Sequence, residues 1–110
     1  MAEEAAHVQI LTAAGSREEA AVLAAALVEA RLAACVQVVG PIQSTYWWEG
    51  RVDSAEEWLC LAKTTAALAE QAVDEIGRLH SYDTPEITVT PIVGGSLPYL
   101  AWIEQSVGDA

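Results

Sequence analysis

Residues 36–64 read VQVVGPIQSTYWWEGRVDSAEEWLCLAKT, which is two β-favouring runs on either side of a tight turn. Alternate positions of the first run are apolar, so the pattern predicts a strand with one apolar face. These positions are Val36, Val38, Ile42, Tyr46 and Trp48. The Gly40-Pro41 pair within the run predicts a bulge or bend. The turn at residues 48–51 leads into a second long strand that ends near Thr64, so the stretch forms a long hairpin.

The segment before the hairpin predicts one strand and one helix. Residues 8–14 are apolar and β-favouring. Ser16 and Glu19 form a capping box, in which the Ser16 hydroxyl accepts from the Glu19 amide and the Glu19 carboxylate reaches back. The helix that follows ends near Leu32 and has an apolar stripe at helical spacing. The stripe consists of Ala20, Leu23, Ala24, Leu27 and Val28.

The segment after the hairpin predicts a second helix, a strand and a short last helix. Thr65 caps the second helix, whose inner face carries Leu68, Ala69, Ala72, Ile76 and Leu79. A strand covers residues 87–93, and Ser96 caps the last helix. The order β-α-β-β-α-β with a C-terminal helix predicts an α+β, ferredoxin-like domain with helices on one face of an antiparallel sheet. We expect one domain over residues 1–110, with residues 1–6 as a flexible tail.

The long hairpin also predicts assembly. A hairpin that projects beyond a four-stranded sheet leaves unpaired backbone groups and apolar side chains in water. Pairing with another copy removes both, so we expect a closed homo-oligomer. Tyr46, Trp47 and Trp48 near the hairpin tip are expected at the subunit interface, because aromatic residues anchor interfaces. The alternative is that these rings stack on a ligand.

Composition and charge exclude several partners. The chain has 16 acidic and 5 basic residues and a formal charge of −11, which disfavours nucleic acid and anionic membrane surfaces. The N-terminus lacks the basic and apolar regions of a secretory signal, and no apolar run approaches the roughly 18 residues of a membrane span. Two cysteines, Cys35 and Cys60, do not make a disulfide framework. We therefore expect a cytoplasmic protein.

The stretch from His80 to Glu86 is the strongest candidate site. Pro85 stiffens the turn, and polar groups on such a turn beside a strand are typical of binding sites. His80, Asp83 and Glu86 are candidate ligands for Cu(II) or another divalent cation. The alternative for His80 is a surface histidine whose ring bonds a neighbouring carbonyl group.

A second candidate site is a ligand cleft that contains Lys63, Tyr82 and Glu86. Lys63 precedes a predicted helix start, where a cation can hold an anion or pair with Glu86. An ordinary surface ion pair is the alternative. The sequence lacks the phosphate-binding, zinc-protease and nucleophile-elbow motifs, so we expect no enzyme activity.

Six short motifs occur in order along nearly the whole chain and resemble the CutA family of divalent-cation tolerance proteins. The resemblance covers residues 8–107. The motifs are Leu32-Ala33-Ala34-Cys35-Val36, Ser44-x-Tyr46-x-Trp48-x-Gly50, Lys63-Thr64-Thr65, His80-x-Tyr82-x-x-Pro85-Glu86-Ile87, Pro91-Ile92 and Tyr99-Leu100-x-Trp102.

This resemblance implies a trimeric, ferredoxin-like, bacterial cytoplasmic protein, similar in architecture to the PII signalling proteins. It implies a role in tolerance of copper and other divalent cations, and it implies no catalysis. Some family members carry a Cys before the Thr-Ala of the first strand and a His-His pair before the Tyr turn, as proposed copper ligands. Here these positions are Leu11 and Leu79-His80, so His80 alone remains of that set.

We therefore expect a homotrimer that responds to divalent cations through weak metal binding. The alternatives are a PII-like sensor of a small ligand and a protein-interaction scaffold that binds no metal.

Overall fold

The computed structural model describes residues 5–108, and its elements follow the predicted order. The strands are β1 (His7–Ala14), β2 (Cys35–Trp48), β3 (Arg51–Thr65) and β4 (Ile87–Ile92). The helices are α1 (Arg17–Glu29), α2 (Ala69–Leu79) and α3 (Leu97–Ser106), and a single 3₁₀ turn, Ala66–Leu68, precedes α2. Residues 1–4 of the predicted tail lie outside the described residues. The Ala6 carbonyl accepts a hydrogen bond of 2.8 Å from the Ala66 amide.

The four strands form one sheet in the order β2-β3-β1-β4, and every neighbouring pair is antiparallel. This order with the two crossover helices confirms the ferredoxin-like α+β prediction. β2 therefore lies at one edge of the sheet and β4 at the other. The β2–β3 hairpin extends past the end of β1, whose last residue Ala14 lies opposite Trp58.

The core lies between the sheet and helices α1 and α2. Val8 and Ile10 of β1 pack there against Leu27 of α1 and Ile76 of α2, and all four are at least 94% buried. A further small cluster packs Ile103 of α3 against Ala34, which directly precedes β2. Burial of these apolar side chains supplies the main driving force for the fold.

Helix α1 begins as predicted but ends earlier. The Ser16 hydroxyl accepts from the Glu19 amide at 3.0 Å, which confirms the N-cap. The helix ends at Glu29 because Arg31 adopts a left-handed backbone conformation with φ of 62°. The prediction that Val28 belongs to the buried stripe was wrong, because this side chain is 41% exposed. Ala20, Leu23 and Leu27 are buried.

The predicted cap of the second helix was also wrong. Thr65 has the extended backbone of an N-cap residue, but its side chain makes no capping hydrogen bond. The chain passes through the 3₁₀ turn before α2 begins at Ala69. At the last helix, the Ser96 hydroxyl accepts from the Tyr99 amide at 3.4 Å, which confirms the predicted cap.

The bulge in β2 is confirmed, and it corrects the predicted strand face. The register shifts between Val39 and Ile42, where β2 has one residue more than β3. One inserted residue moves all later side chains to the other side of the sheet. Val38 therefore lies opposite the buried Cys60 on the helix side, whereas Ile42 lies opposite Glu57 on the other side.

The second half of β2 continues this reversed pattern. Tyr46 and Trp48 lie opposite Asp53 and Arg51, on the sheet face away from α1 and α2. Trp47 lies on the helix side. The hairpin closes through two residues with positive φ, Glu49 at 51° and Gly50 at 78°, as a type I′ turn requires.

Candidate functional site

The turn that follows α2 is organised around a buried histidine. His80 is 9% exposed. Its Nε2 donates to the Ala13 carbonyl oxygen at 2.8 Å, and its Nδ1 accepts from the Tyr82 amide at 3.1 Å. One nitrogen must carry a proton and the other must not, so these bonds assign a neutral ring protonated at Nε2. The ring thus joins β1 to the turn. The predicted bond to a carbonyl group is confirmed, but the surface position predicted with it is wrong, because the side chain is buried.

Glu19 holds the next residue of the turn. Its carboxylate accepts from the Ser81 amide at 2.8 Å and from the Ser81 hydroxyl at 3.0 Å. Ser81 thus takes the place that the Ser16 amide has in the predicted capping box, although the Gly15 amide just before the helix also interacts with this carboxylate. Burial raises the pKa of Glu19, but the two Ser81 hydrogen bonds outweigh this effect and lower the pKa overall.

Tyr82 crosses the end of β1 and reaches β3. Its hydroxyl donates to Glu57 at 2.9 Å. A Cβ atom on Gly15 would lie 2.9 Å from this hydroxyl, so the absence of a side chain at Gly15 makes room for the phenol. Burial and the Glu57 carboxylate raise the pKa of Tyr82 to about 12, so the phenol is a hydrogen-bond donor at neutral pH.

The three predicted metal ligands differ in their surroundings. Asp83 and Glu86 are exposed on the turn, whereas His80 is buried and uses both ring nitrogens. Among residues 5–108, no three His, Cys, Asp or Glu side chains form a group that could hold a metal ion. A metal ion at His80 Nδ1 has to displace the Tyr82 amide. The metal site at His80, Asp83 and Glu86 therefore stays a prediction.

The predicted cleft residues are not adjacent within one chain. Lys63 donates to Gln37 at 2.6 Å, near the end of β3. Tyr82 contacts Glu57, which lies six residues before Lys63 on that strand. Six residues of strand separate Lys63 from Glu57 by about 20 Å. A cleft that contains both Lys63 and Tyr82 therefore stays a prediction for a surface between copies. A separate depression of about 430 Å³ lies on the hairpin, lined by Pro41, Ile42, Gln43, Ser54, Ala55 and Glu56.

The three predicted interface aromatics are exposed along the hairpin. Trp47 is 74% exposed, Trp48 57% and Tyr46 38%. They lie on β2, whose outer backbone groups have no partner strand among residues 5–108. Their place at a subunit interface stays a prediction.

Three residues that position the turn were not identified as site residues from the sequence: Gly15, Glu19 and Glu57. Glu19 was interpreted as a helix cap because of its distance of three residues from Ser16. Glu57 has no local signal, since its partner Tyr82 is 25 positions away. A buried acidic residue is recognised as such only once its strand neighbours are known.

Comparison with known proteins agrees with this architecture. The family model described as CutA1 divalent ion tolerance protein matches residues 8–106. The chain belongs to the CutA1 family. A divalent-cation tolerance protein CutA from Archaeoglobus fulgidus is 41% identical over 101 residues, which are 92% of this chain and 98% of that protein. A solved structure of the divalent cation tolerance protein CutA1 from Thermus thermophilus is 39% identical, with a TM-score of 0.90 over 93% of this chain and 99% of that one.

Other members of the CutA1 family differ in length and in described location. The rice protein CutA 1, described as chloroplastic, is 40% identical over 88 residues, 80% of this chain and 50% of that protein. The chain thus spans about half the length of the plant relatives it matches. The structure from Archaeoglobus fulgidus is described as that of a periplasmic protein. In the present chain, none of the helices within residues 5–108 has the length and apolar character to cross a bilayer.

Proposed function

We propose that this protein acts in divalent-cation tolerance as a cytoplasmic homotrimer. The observation that carries the assembly is the projecting hairpin, which combines an open β2 edge with exposed Tyr46, Trp47 and Trp48. Open strand edges and clustered exposed aromatics are the features that a protein covers with a partner. The family membership supports the cation-related role, since its members are described as divalent ion tolerance proteins.

We further propose that the trimer binds Cu(II) or another divalent cation weakly at the turn that contains His80, Asp83 and Glu86. The carboxylates of Asp83 and Glu86 are exposed on the same turn and can supply oxygen ligands. His80 supplies a nitrogen ligand once Nδ1 releases the Tyr82 amide, and the loss of that hydrogen bond of 3.1 Å weakens the binding. Cu(II) is favoured because an imidazole with oxygen ligands suits it.

The test combines the mass of the assembly with a calorimetric Cu(II) titration of chelator-treated protein. We expect a mass of three chains and saturable binding of about one ion per chain, in the micromolar range or weaker. The variants Asp83→Asn and Glu86→Gln leave the buried contacts of His80 intact and should each weaken binding several-fold. His80→Ala should abolish it.

The outcomes separate this function from its alternatives. Glu75→Gln is the matched control, since Glu75 lies on α2 and pairs with Arg78 at 2.7 Å. Copper binding that all three turn variants retain would exclude this turn as the site. Stabilisation of the protein by nucleotides, unchanged by chelator, would instead support a PII-like sensor. No binding of either kind would leave the scaffold function.

A further inference from the structure

Among residues 5–108, Glu57 has no cationic partner. The side chain is 8% exposed, and the one hydrogen bond it receives from residues 5–108 comes from the Tyr82 hydroxyl. Buried carboxylates are generally paired with a cation, because removing a charge from water is costly. The Tyr82 hydroxyl bonds Oε2, and the other carboxylate oxygen accepts no hydrogen bond from residues 5–108.

The cations of the chain are few, and most of them are engaged. Lys63 donates to Gln37, Arg78 to Glu75 and Arg31 to the Ser106 carbonyl group. Arg17 lies over the Trp58 ring at 5.9 Å. Within the described part of the chain, Arg51 is the one basic residue whose side chain makes no such hydrogen bond and no contact with an aromatic ring.

Arg51 and Glu57 lie on one face of the hairpin but cannot meet in one chain. Both belong to β3 and are separated by an even number of residues, so their side chains project from the same side. Six residues of strand separate them by about 20 Å, which exceeds the reach of one arginine side chain. The same face also carries Tyr46 and Trp48, opposite Asp53 and Arg51.

We propose that Arg51 of one copy pairs with Glu57 of a second copy, and that this ion pair sets the register in which the hairpin docks. The inference rests on the homotrimer proposed above and names the surface through which it forms. The face carries a basic group, Arg51, at the hairpin tip and an acidic group, Glu57, at the hairpin base. The basic group of one copy can therefore pair with the acidic group of another. Arginine suits the role because its guanidinium group can donate to a carboxylate through two nitrogens.

A double-mutant cycle tests the pair. The variants are Arg51→Gln, Glu57→Gln and the combination of both, with the trimer dissociation constant measured by mass during dilution. Glutamine at position 57 keeps an oxygen that can accept from Tyr82, and Arg51 is exposed, so both variants should fold; circular dichroism checks this. We expect each single change to raise the dissociation constant about tenfold, and the double change to raise it no further than either single one.

Asp53→Asn is the matched control, because Asp53 is an exposed acid on the same face, two residues from Arg51. Its carboxylate already accepts from the Ser54 amide at 2.8 Å, so we expect no change in the dissociation constant. If Arg51→Gln leaves the dissociation constant of the trimer unchanged, the ion pair is refuted, but the homotrimer is not. Additive single effects would overturn the ion pair too. An unmodified protein that is monomeric at every concentration would instead refute the homotrimer itself.

Discussion

Glu19 shows how one side chain can hold two parts of the molecule together. It lies in the first turn of α1 and accepts two hydrogen bonds from Ser81, which is 62 positions away. Its Oε2 atom is also 3.6 Å from Nδ1 of the neutral His80. Because the turn has few other polar anchors, the position of Tyr82 over Gly15 depends on this carboxylate as well as on Glu57.

Glu19→Gln should remove a stabilising effect that depends on pH. The pKa of Glu19 is lower in the folded protein than its ordinary value of 4.5, so its ionised form stabilises the fold above that value. The stabilisation is lost as pH falls through the lower, folded-state pKa. We expect the variant to lose about 1.5–3 kcal/mol at pH 7, the usual contribution of hydrogen bonds to a charged group. Urea unfolding at fixed protein concentration measures this difference.

The same series, continued into acid through the lowered pKa of Glu19, provides the check. There the unmodified protein becomes protonated at Glu19, so the difference between the two proteins should shrink. Glu18→Gln serves as the control, because Glu18 precedes Glu19 in the same helical turn and lies exposed. A difference that stays constant from pH 7 to the acid limit would show that the charge of Glu19 is not what Ser81 binds.

The bulge in β2 shows what sequence periodicity does and does not predict at the level of an element. The alternation over residues 36–48 predicts the strand, and Gly40-Pro41 predicts the interruption, and both are confirmed. The pattern does not tell how many residues the interruption inserts. One inserted residue reverses the faces, so Ile42 and Tyr46 were assigned to the wrong side of the sheet.

Gly40→Ala should destabilise this element. A Cβ at Gly40 would lie 2.4 Å from Cδ1 of Trp58, whose indole fills the space beside the bulge. Since Trp58 is itself packed below Arg17, we expect a loss of about 1–3 kcal/mol, typical of an overpacked site. Thermal or urea unfolding measures the loss.

Gly94→Ala is the matched control for the bulge. An added Cβ at Gly94 meets no atom within 4 Å, and its backbone lies outside the left-handed region. This variant should leave the unfolding free energy within about 0.5 kcal/mol of the unmodified value. If Gly40→Ala proves equally neutral, the bulge has room to adjust and the close packing of Trp58 is not required.

The candidate site was predicted less completely than the fold. The short motifs pointed to the turn at His80 and Tyr82, because a proline-stiffened polar turn is visible in sequence. The residues that fix this turn come from α1 and β3, and no local pattern connects Glu19 or Glu57 to it. The contacts of Glu19 and Glu57 with the turn join residues far apart in the sequence, and they can be predicted only once the order and register of the strands are known.

At the scale of the whole molecule, the asymmetry between the two hairpin faces decides how copies can meet. The helix side of the sheet is covered by α1 and α2, whereas the projecting part of β2 presents aromatic rings on both sides. Trp48 shares its face with Tyr46, Arg51 and Glu57, and Trp47 lies on the opposite face. The acidic and basic groups of the first face make it the better surface for docking with a second copy.

Trp48→Ala should therefore weaken the assembly more than Trp47→Ala, although Trp47 is the more exposed ring. Truncating an aromatic anchor at an interface typically costs about 2 kcal/mol or more, which corresponds to roughly a 30-fold rise in the dissociation constant. Sedimentation of both variants over a dilution series measures this rise. Equal losses would mean that both faces are covered in the assembly, and a larger loss for Trp47→Ala would place the docking surface on the helix side of the hairpin.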